Sequence, residues 1–500
     1  MNLDHDICYR ALASRDARFD GRFFIGVRTT GIYCRPICPA PTAKPENTLF
    51  FPTAAAAQEA GFRPCLRCRP EAAPDSGAWR GVSNSGYSNT VSRALGLIEA
   101  GVLDERGVAA LAERLGVGER QLRRLFAAHV GASPLGVAQT RRVLLARQLL
   151  HETGMPITDI AFASGFGSIR RFNEVFQQLY GRPPSALRRG AQAGQPPVAG
   201  EGVTLLLRYR PPYDWQAMLD FLSARAIVGV ECVVDGVYSR SIGINGVQGT
   251  VAVRQAQGNA LAATIRFPRL TALPVIIARL RRVFDLAADP EAIERQLAAD
   301  PLMARLIEAR PGLRVPGGWD GFELALRAVL GQQITVSGAM KLAGKLVARF
   351  GQPLRQLDGH PSGLTHVFPE PADLIGADLM SLGMPRSRSA TLTAVSEALV
   401  ADPGLFDAGA SLQDAVARFC QLRGIGDWTA QYISLRQLRE PDAFPAGDVA
   451  LLKALGLLEG TAATSRQMLA RAEAWRPWRA YAAQHLWTSL AATEASPVPG

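Results

Sequence analysis

The chain has 500 residues, too many for one hydrophobic core, so several domains are expected. Hydrophobic residues make up 48% and charged residues 20%, which excludes a globally disordered chain. The net charge is +11, and 51 of the 55 basic residues are arginine; the four lysines are Lys44, Lys341, Lys345 and Lys453. Arginine suits bidentate contacts with phosphates and base edges, although a codon bias gives the same excess. The start shows no basic segment leading into an apolar one, and the longest apolar runs, such as 226–234, are far too short for a bilayer. A soluble, cytoplasmic chain without a membrane partner is expected.

Four of the seven cysteines cluster as Cys34, Cys38, Cys65 and Cys68. Their spacing is C-x3-C, 26 residues, then C-x2-C. Each pair spans one edge of a tetrahedron and the loop brings the edges together. Zn²⁺ and an Fe–S cluster both accept four thiolates. A small head without a large core gains most from structural Zn²⁺. Cys8, Cys232 and Cys420 stand alone and are expected as buried small hydrophobes. The runs Thr29-Thr30-Gly31-Ile32-Tyr33-Cys34-Arg35-Pro36-Ile37-Cys38 and Ala60-Gly61-Phe62-Arg63-Pro64-Cys65-Leu66-Arg67-Cys68 resemble the N-terminal domain of the Ada proteins, sensors of DNA methylation damage. The resemblance implies that Cys34 accepts a methyl group from a methylphosphotriester. A zinc-bound thiolate is nucleophilic at neutral pH, and methylating one of four changes the charge of the site from −2 to −1.

Residues 70–89 and 190–202 are rich in small residues, Pro and Gly and read as linkers. Between them lies a repeat. Ala112, Gly116, Phe126, Gly131 and Pro134 are echoed by Ala161, Gly165, Phe176, Gly181 and Pro184. Each copy reads helix, Gly-containing turn, helix. The second helices are expected at 119–129, exposing Arg120, Gln121, Arg123 and Arg124, and from the N-cap Ser168 to Tyr180, exposing Arg170, Arg171 and Asn173. Residues 91–189 hold 14 arginines and eight acidic residues. The pattern from Ile160 through Gly165-Phe166, Phe172, Phe176 and Gly181 to Leu187-Arg188 resembles the AraC-type DNA-binding domain, which implies two helix-turn-helix units in successive major grooves. The first copy matches less well, with Val117 where the second has Phe166.

The C-terminal half opens with strand-like alternation at 203–210 and 228–238 and turns helical after about Leu270. Leu422-Arg423-Gly424-Ile425-Gly426-Asp427-Trp428-Thr429-Ala430 reads as helix, tight Gly-x-Gly turn, helix. Gly424 and Gly426 permit close backbone approach, and the next helix N-terminus can bind phosphate. Asp448 reads as the N-cap of a helix over 449–455. Trp428 and Tyr432 are spaced i, i+4 and share a helix face. Aromatic pairs at this spacing are usually core.

This hairpin resembles the helix-hairpin-helix of the DNA glycosylase superfamily. From about Leu205 onward the chain resembles the AlkA 3-methyladenine glycosylases, through runs such as Arg210-Pro211-Pro212-Tyr213-Asp214-Trp215 and Leu330-Gly331-Gln332-Gln333. That resemblance makes Asp448 the catalytic carboxylate, Trp428, Tyr432 and Trp487 the flipped-base pocket, and Gln333 the wedge. Negative charge is stabilised at a helix N-terminus and can oppose a developing oxocarbenium ion. Trp428 occupies the position where strand-cutting relatives carry a nucleophilic lysine, so hydrolysis without lyase chemistry is implied. Val449 follows the aspartate where an aromatic can sit, which implies a more open pocket.

The expected architecture is multidomain and mostly α: a small Zn-binding α/β head at 1–75, an all-α double helix-turn-helix domain at 86–190, an α+β AlkA-like domain at 203–316, and an all-α helix-hairpin-helix glycosylase domain at 317–495. The expected function is a methylation-sensing transcription regulator fused to a monofunctional glycosylase that excises 3-methyladenine and 7-methylguanine. The alternative is a regulator whose C-terminal half binds damaged bases without excising them. Expected partners are methylated double-stranded DNA, promoter sites and RNA polymerase, with one Zn²⁺, no organic cofactor and a bacterial, nucleoid-associated location. No Pro-Cys-His-Arg motif occurs, so no O6-alkylguanine methyltransferase is expected.

Overall fold

The computed structural model describes residues 4–74, 89–188, 202–355, 361–409 and 411–495. Most of both expected linkers lies outside the described residues. The chain falls into two compact units: the first holds residues to Tyr209 together with Ala260–Ala278, and the second the remainder of the C-terminal half.

In the first unit the head is built on four short strands, β1 (Phe24–Val27), β2 (Ile32–Cys34), β3 (Thr48–Phe51) and β4 (Arg63–Pro64), in the order β3-β1-β2-β4. Alternation in and beside β1 sends Phe23 and Ile25 to a cluster with Cys8 and Leu12, and Phe24 to one with Tyr33, Ala57 and Phe62. Because β2 ends at Cys34 and the Cys65 amide bonds the Tyr33 carbonyl, the two cysteine pairs arrive side by side.

The helix-turn-helix units are Val108–Arg114 with Glu119–His129, and Ile157–Ala163 with Ile169–Tyr180. Ser168 caps the last of these through the Arg171 amide. The 19-residue helix Pro134–Glu152 joins them. Each second helix is amphipathic and buries Leu122 and Phe126, or Phe172, Val175 and Phe176. Strand β5 (Val203–Arg208) pairs antiparallel with β9 (Ala260–Arg266) in the same unit.

In the second unit β6 (Glu231–Val234), β7 (Val237–Ile244) and β8 (Val247–Ala256) form an antiparallel meander. The single strand expected over 228–238 is therefore a hairpin. Asp235 and Gly236 both take positive φ, the geometry of a two-residue turn, and Val228 is exposed. The helical core centres on Gly321–Leu330, which packs against Arg386–Ala401 and Asp427–Arg436 and contributes Phe322, Leu326 and Val329 to the apolar cluster. Its burial on nearly every side explains its almost uninterrupted apolar sequence. Cys8 is buried as expected, but Cys232 is half-buried and Cys420, at a helix end, is exposed. Among the described residues no helix is long and apolar enough to cross a membrane.

Candidate functional site

The ligand sulfurs of Cys34, Cys38, Cys65 and Cys68 all lie within 4.8 Å of one another. A tetrahedron with Zn–S bonds of about 2.3 Å has S···S edges of about 3.8 Å, so the donor set and its spacing fit one Zn²⁺. The sulfurs differ in their surroundings. Cys68 Sγ accepts the Arg35 amide at 3.3 Å, Cys65 Sγ accepts the Arg67 amide at 3.4 Å, and Cys38 accepts the Ala40 amide. At 9% Cys34 is the most exposed of the four, and the amide bonds named above fall on the other three sulfurs. A thiolate that shares no charge with an amide keeps its nucleophilicity.

The head is tied to the helix-turn-helix region by Arg147, on the long joining helix. Its fully buried side chain donates Nη1 to the Cys65 carbonyl at 3.2 Å, pairs with Glu71 at 3.3 Å and lies 5.5 Å from the Tyr180 ring centre. Arg120, Arg123, Arg124, Arg170, Arg171 and Asn173 are all exposed on their second helices, as expected, whereas Gln121 is half-buried. Glu119 pairs with Arg123, and Glu174 with Arg170 at 2.8 Å. Both are i, i+4 pairs along the exposed face of a helix.

In the second unit Asp448 caps a helix that runs Val449–Glu459, four residues further than expected, and accepts the Leu451 amide on Oδ1 at 2.9 Å. Two indoles complete its environment: Trp428 Nε1 donates to Oδ2 at 2.7 Å and Trp487 Nε1 to Oδ1 at 3.0 Å. Three donors therefore converge on one half-buried carboxylate. Trp428 stacks on Tyr432 at 5.4 Å and 13°, and Tyr432 meets Trp487 edge-on at 6.4 Å. The expected pocket aromatics thus adjoin the aspartate. Val449 is 78% exposed, which leaves that side open. Gly424 has φ +81°, and a Cβ there would sit 1.9 Å from Thr391 Oγ1, so only glycine fits. Gly424, Gly426 and Gln333 are exposed, and Gln333 has φ +58°.

Sequence reasoning missed two arginines. Arg436 is buried behind the rings, 5.0 Å from the Tyr432 centre and 5.2 Å from that of Trp487. Both it and Arg225 stack on Phe221. Desolvation lowers the Arg436 pKa to about 10 and lowers that of Arg225. Burial acts to raise the Tyr432 pKa, but the Arg436 and Arg225 charges outweigh it and the net shift is downward. Arg436 follows Tyr432 by four residues, a helical spacing that was a usable signal; Arg225 carried none.

Models of known families match in order along the chain: the metal-binding domain of Ada at 7–71, a helix-turn-helix domain at 111–190, the AlkA N-terminal domain at 204–320, and the HhH-GPD superfamily of base excision DNA repair proteins at 326–480. The four cysteines accordingly bind one Zn²⁺, and the molecule joins a regulatory, DNA-binding half to a DNA glycosylase half. A protein of Mycobacterium tuberculosis (strain H37Rv) described as a probable bifunctional transcriptional activator/DNA repair enzyme AlkA is 42% identical over 98% of this chain and 97% of its own length. The chain belongs to that family of bifunctional transcriptional activator/DNA repair enzymes. The DNA-3-methyladenine glycosylase 2 of Escherichia coli K12 is 34% identical over 56% of this chain and 95% of its own. A 3-methyladenine DNA-glycosylase structure from Archaeoglobus fulgidus superposes with TM-score 0.51 at 20% identity, covering 58% of this chain and 99% of that one, a likeness of fold.

Proposed function

We propose that the C-terminal half excises alkylated purines, 3-methyladenine and 7-methylguanine among them, with Asp448 as the catalytic carboxylate. The observation that carries this reading is the carboxylate held by Trp428 and Trp487 beside the stacked Tyr432. A base flipped against these rings has its C1′ near Asp448. The N-glycosidic bond breaks with its electron pair leaving on the cationic base, which departs neutral, the carboxylate opposes the positive charge on the sugar, and water adds its oxygen at C1′ and releases a proton to solvent. The rings suit an electron-poor purine. No lysine lies between Lys345 and Lys453, which supports hydrolysis without strand cleavage. The Gly424–Gly426 turn grips phosphate and Gln333 fills the gap in the stack.

In the head, Cys34 is the methyl acceptor. Bound Zn²⁺ keeps the thiols deprotonated. Cys34 sulfur attacks the methyl carbon of a methylphosphotriester, the C–O bond breaks, and a thioether and a phosphodiester anion result. The zinc site then carries one negative charge less against DNA. Arg120, Arg123, Arg124, Arg170, Arg171 and Asn173 make the groove contacts, RNA polymerase is the partner at promoters, and the protein works on the nucleoid in the cytoplasm. The domains are 1–75, 86–190, 203–316 and 317–495.

One experiment tests both activities. The full chain is incubated with methylated duplex DNA while released bases and protein mass are followed. Free alkylpurines and a single methyl on Cys34 are expected. Binding without base release means the C-terminal half is not an excision enzyme, and an unmodified mass removes the sensor role.

A further inference from the structure

Gln332 lies in the turn between helices Gly321–Leu330 and Val336–Phe350, immediately before Gln333. Its side-chain Nε2 donates to the Gly424 carbonyl at 3.1 Å and to Thr429 Oγ1 at 3.1 Å. Its own carbonyl accepts Arg388 Nη2 at 2.5 Å. Arg388 shares the helix Arg386–Ala401 with Thr391, the residue that packs beneath Gly424. Thr429 sits beside Trp428 on the pocket helix. One side chain therefore ties together the hairpin, the pocket helix and the turn that presents Gln333. The residues beyond it, 333–337, are all exposed, Ile334 and Val336 are apolar, and Thr335 caps the helix that follows. Gln333 also keeps a left-handed backbone that only surrounding contacts sustain.

We propose that Gln332 is a positioning residue that couples the hairpin's grip on the DNA backbone to insertion of the wedge turn, so that gripping and gap-filling occur as one movement. The proposal rests on the glycosylase reading of Asp448 and its pocket. A glutamine suits the place because its amide nitrogen has two hydrogens for two acceptors. A glutamate of the same length has no hydrogen for the Gly424 carbonyl and can only accept from the Thr429 hydroxyl, so the bond to the hairpin is lost. Losing the two bonds frees the turn from the hairpin without touching Asp448, Trp428 or Tyr432.

The test uses the full chain with Gln332→Met, which keeps length and removes both donors, and Gln332→Glu. Wedge insertion is read from 2-aminopurine beside a tetrahydrofuran abasic analogue in a duplex. Excision is read in single turnover with the lesion paired to a normal base or placed opposite an abasic analogue, where less stacking must be opened. Both variants should lose most of the fluorescence change and about tenfold or more in excision from the paired duplex, the scale of two neutral hydrogen bonds. Affinity for undamaged duplex should stay within about twofold, and the excision defect should shrink when the lesion faces the abasic analogue. Equal loss in both contexts marks a merely structural role and overturns the proposal, as does a normal fluorescence change. If the unmodified protein excises from neither duplex, the glycosylase reading fails, while the fluorescence still decides the coupling.

Discussion

Replacing Asp448 by Asn removes one charge and little volume. The side-chain oxygen can still accept the Leu451 amide and Trp487 Nε1, which share Oδ1 in the native site. The new amide then faces Trp428 Nε1, a donor, across the place of a 2.7 Å bond. One unsatisfied half-buried donor costs about 1–3 kcal/mol, and Asn caps helices about as well as Asp, so the variant should fold. Catalysis should fall much further. A unit charge about 4 Å from the developing oxocarbenium, at an effective dielectric of about 20, contributes about 4 kcal/mol, or roughly a thousandfold in rate. The assay is single-turnover release of bases from methylated duplex DNA at saturating protein, with damaged-DNA affinity measured alongside. Binding within a few-fold and excision reduced by roughly three orders of magnitude are expected. Excision within about tenfold of the unmodified protein refutes the electrostatic role and leaves Asp448 as a helix cap. The abasic product should remain an unbroken strand until alkali treatment, and borohydride should trap no covalent complex.

Cys34→Ser should abolish methyl gain by mass, and methylated protein should bind its operator more tightly than unmethylated protein, with steep salt dependence; equal affinities at matched salt exclude the charge mechanism. Arg147→Met should destabilise the first unit by about 3 kcal/mol, because the buried Glu71 loses one of its ion partners among the described residues and the Cys65 carbonyl loses a donor; thermal melting of the full chain checks it. His485 is buried, and desolvation lowers its pKa from 6.5 to about 4. The unfolded chain binds the extra proton first, so this contribution is complete above pH 6.5 and is lost as pH falls towards 4. His485→Gln should therefore flatten the loss of melting temperature across that window by the equivalent of about 3 kcal/mol; an unchanged acid limb contradicts the assignment.

The elements whose signals are local were legible without a structure. Cysteine spacing, the duplicated helix-turn-helix, the N-caps Ser168 and Asp448 and the Gly-x-Gly hairpin depend on residues within a few turns of one another. The alternation at 228–238 was legible too, but its Asp235-Gly236 turn was overlooked, and a hairpin was read as one strand. The helix end at Glu459 carries a local signal as well, since Gly460 follows it in the left-handed conformation that stops a helix.

What the sequence by itself determined is the inventory: four thiol ligands in two pairs, two arginine-bearing helices, and one aspartate that must cap a helix. Backbone geometry and short-range hydrogen bonding suffice for those. The tertiary structure decided which groups meet them. Trp428 and Trp487 lie 20 and 39 residues from Asp448, and only the packing of three helices aims both indoles at its carboxylate. The same packing places Arg436 and Arg225 behind Tyr432, Gln332 against the hairpin 92 residues away, and Arg147 on the carbonyl of Cys65, 82 residues away. Such contacts carry no local period, because they arise from long-range burial of side chains whose polar ends must then find a partner.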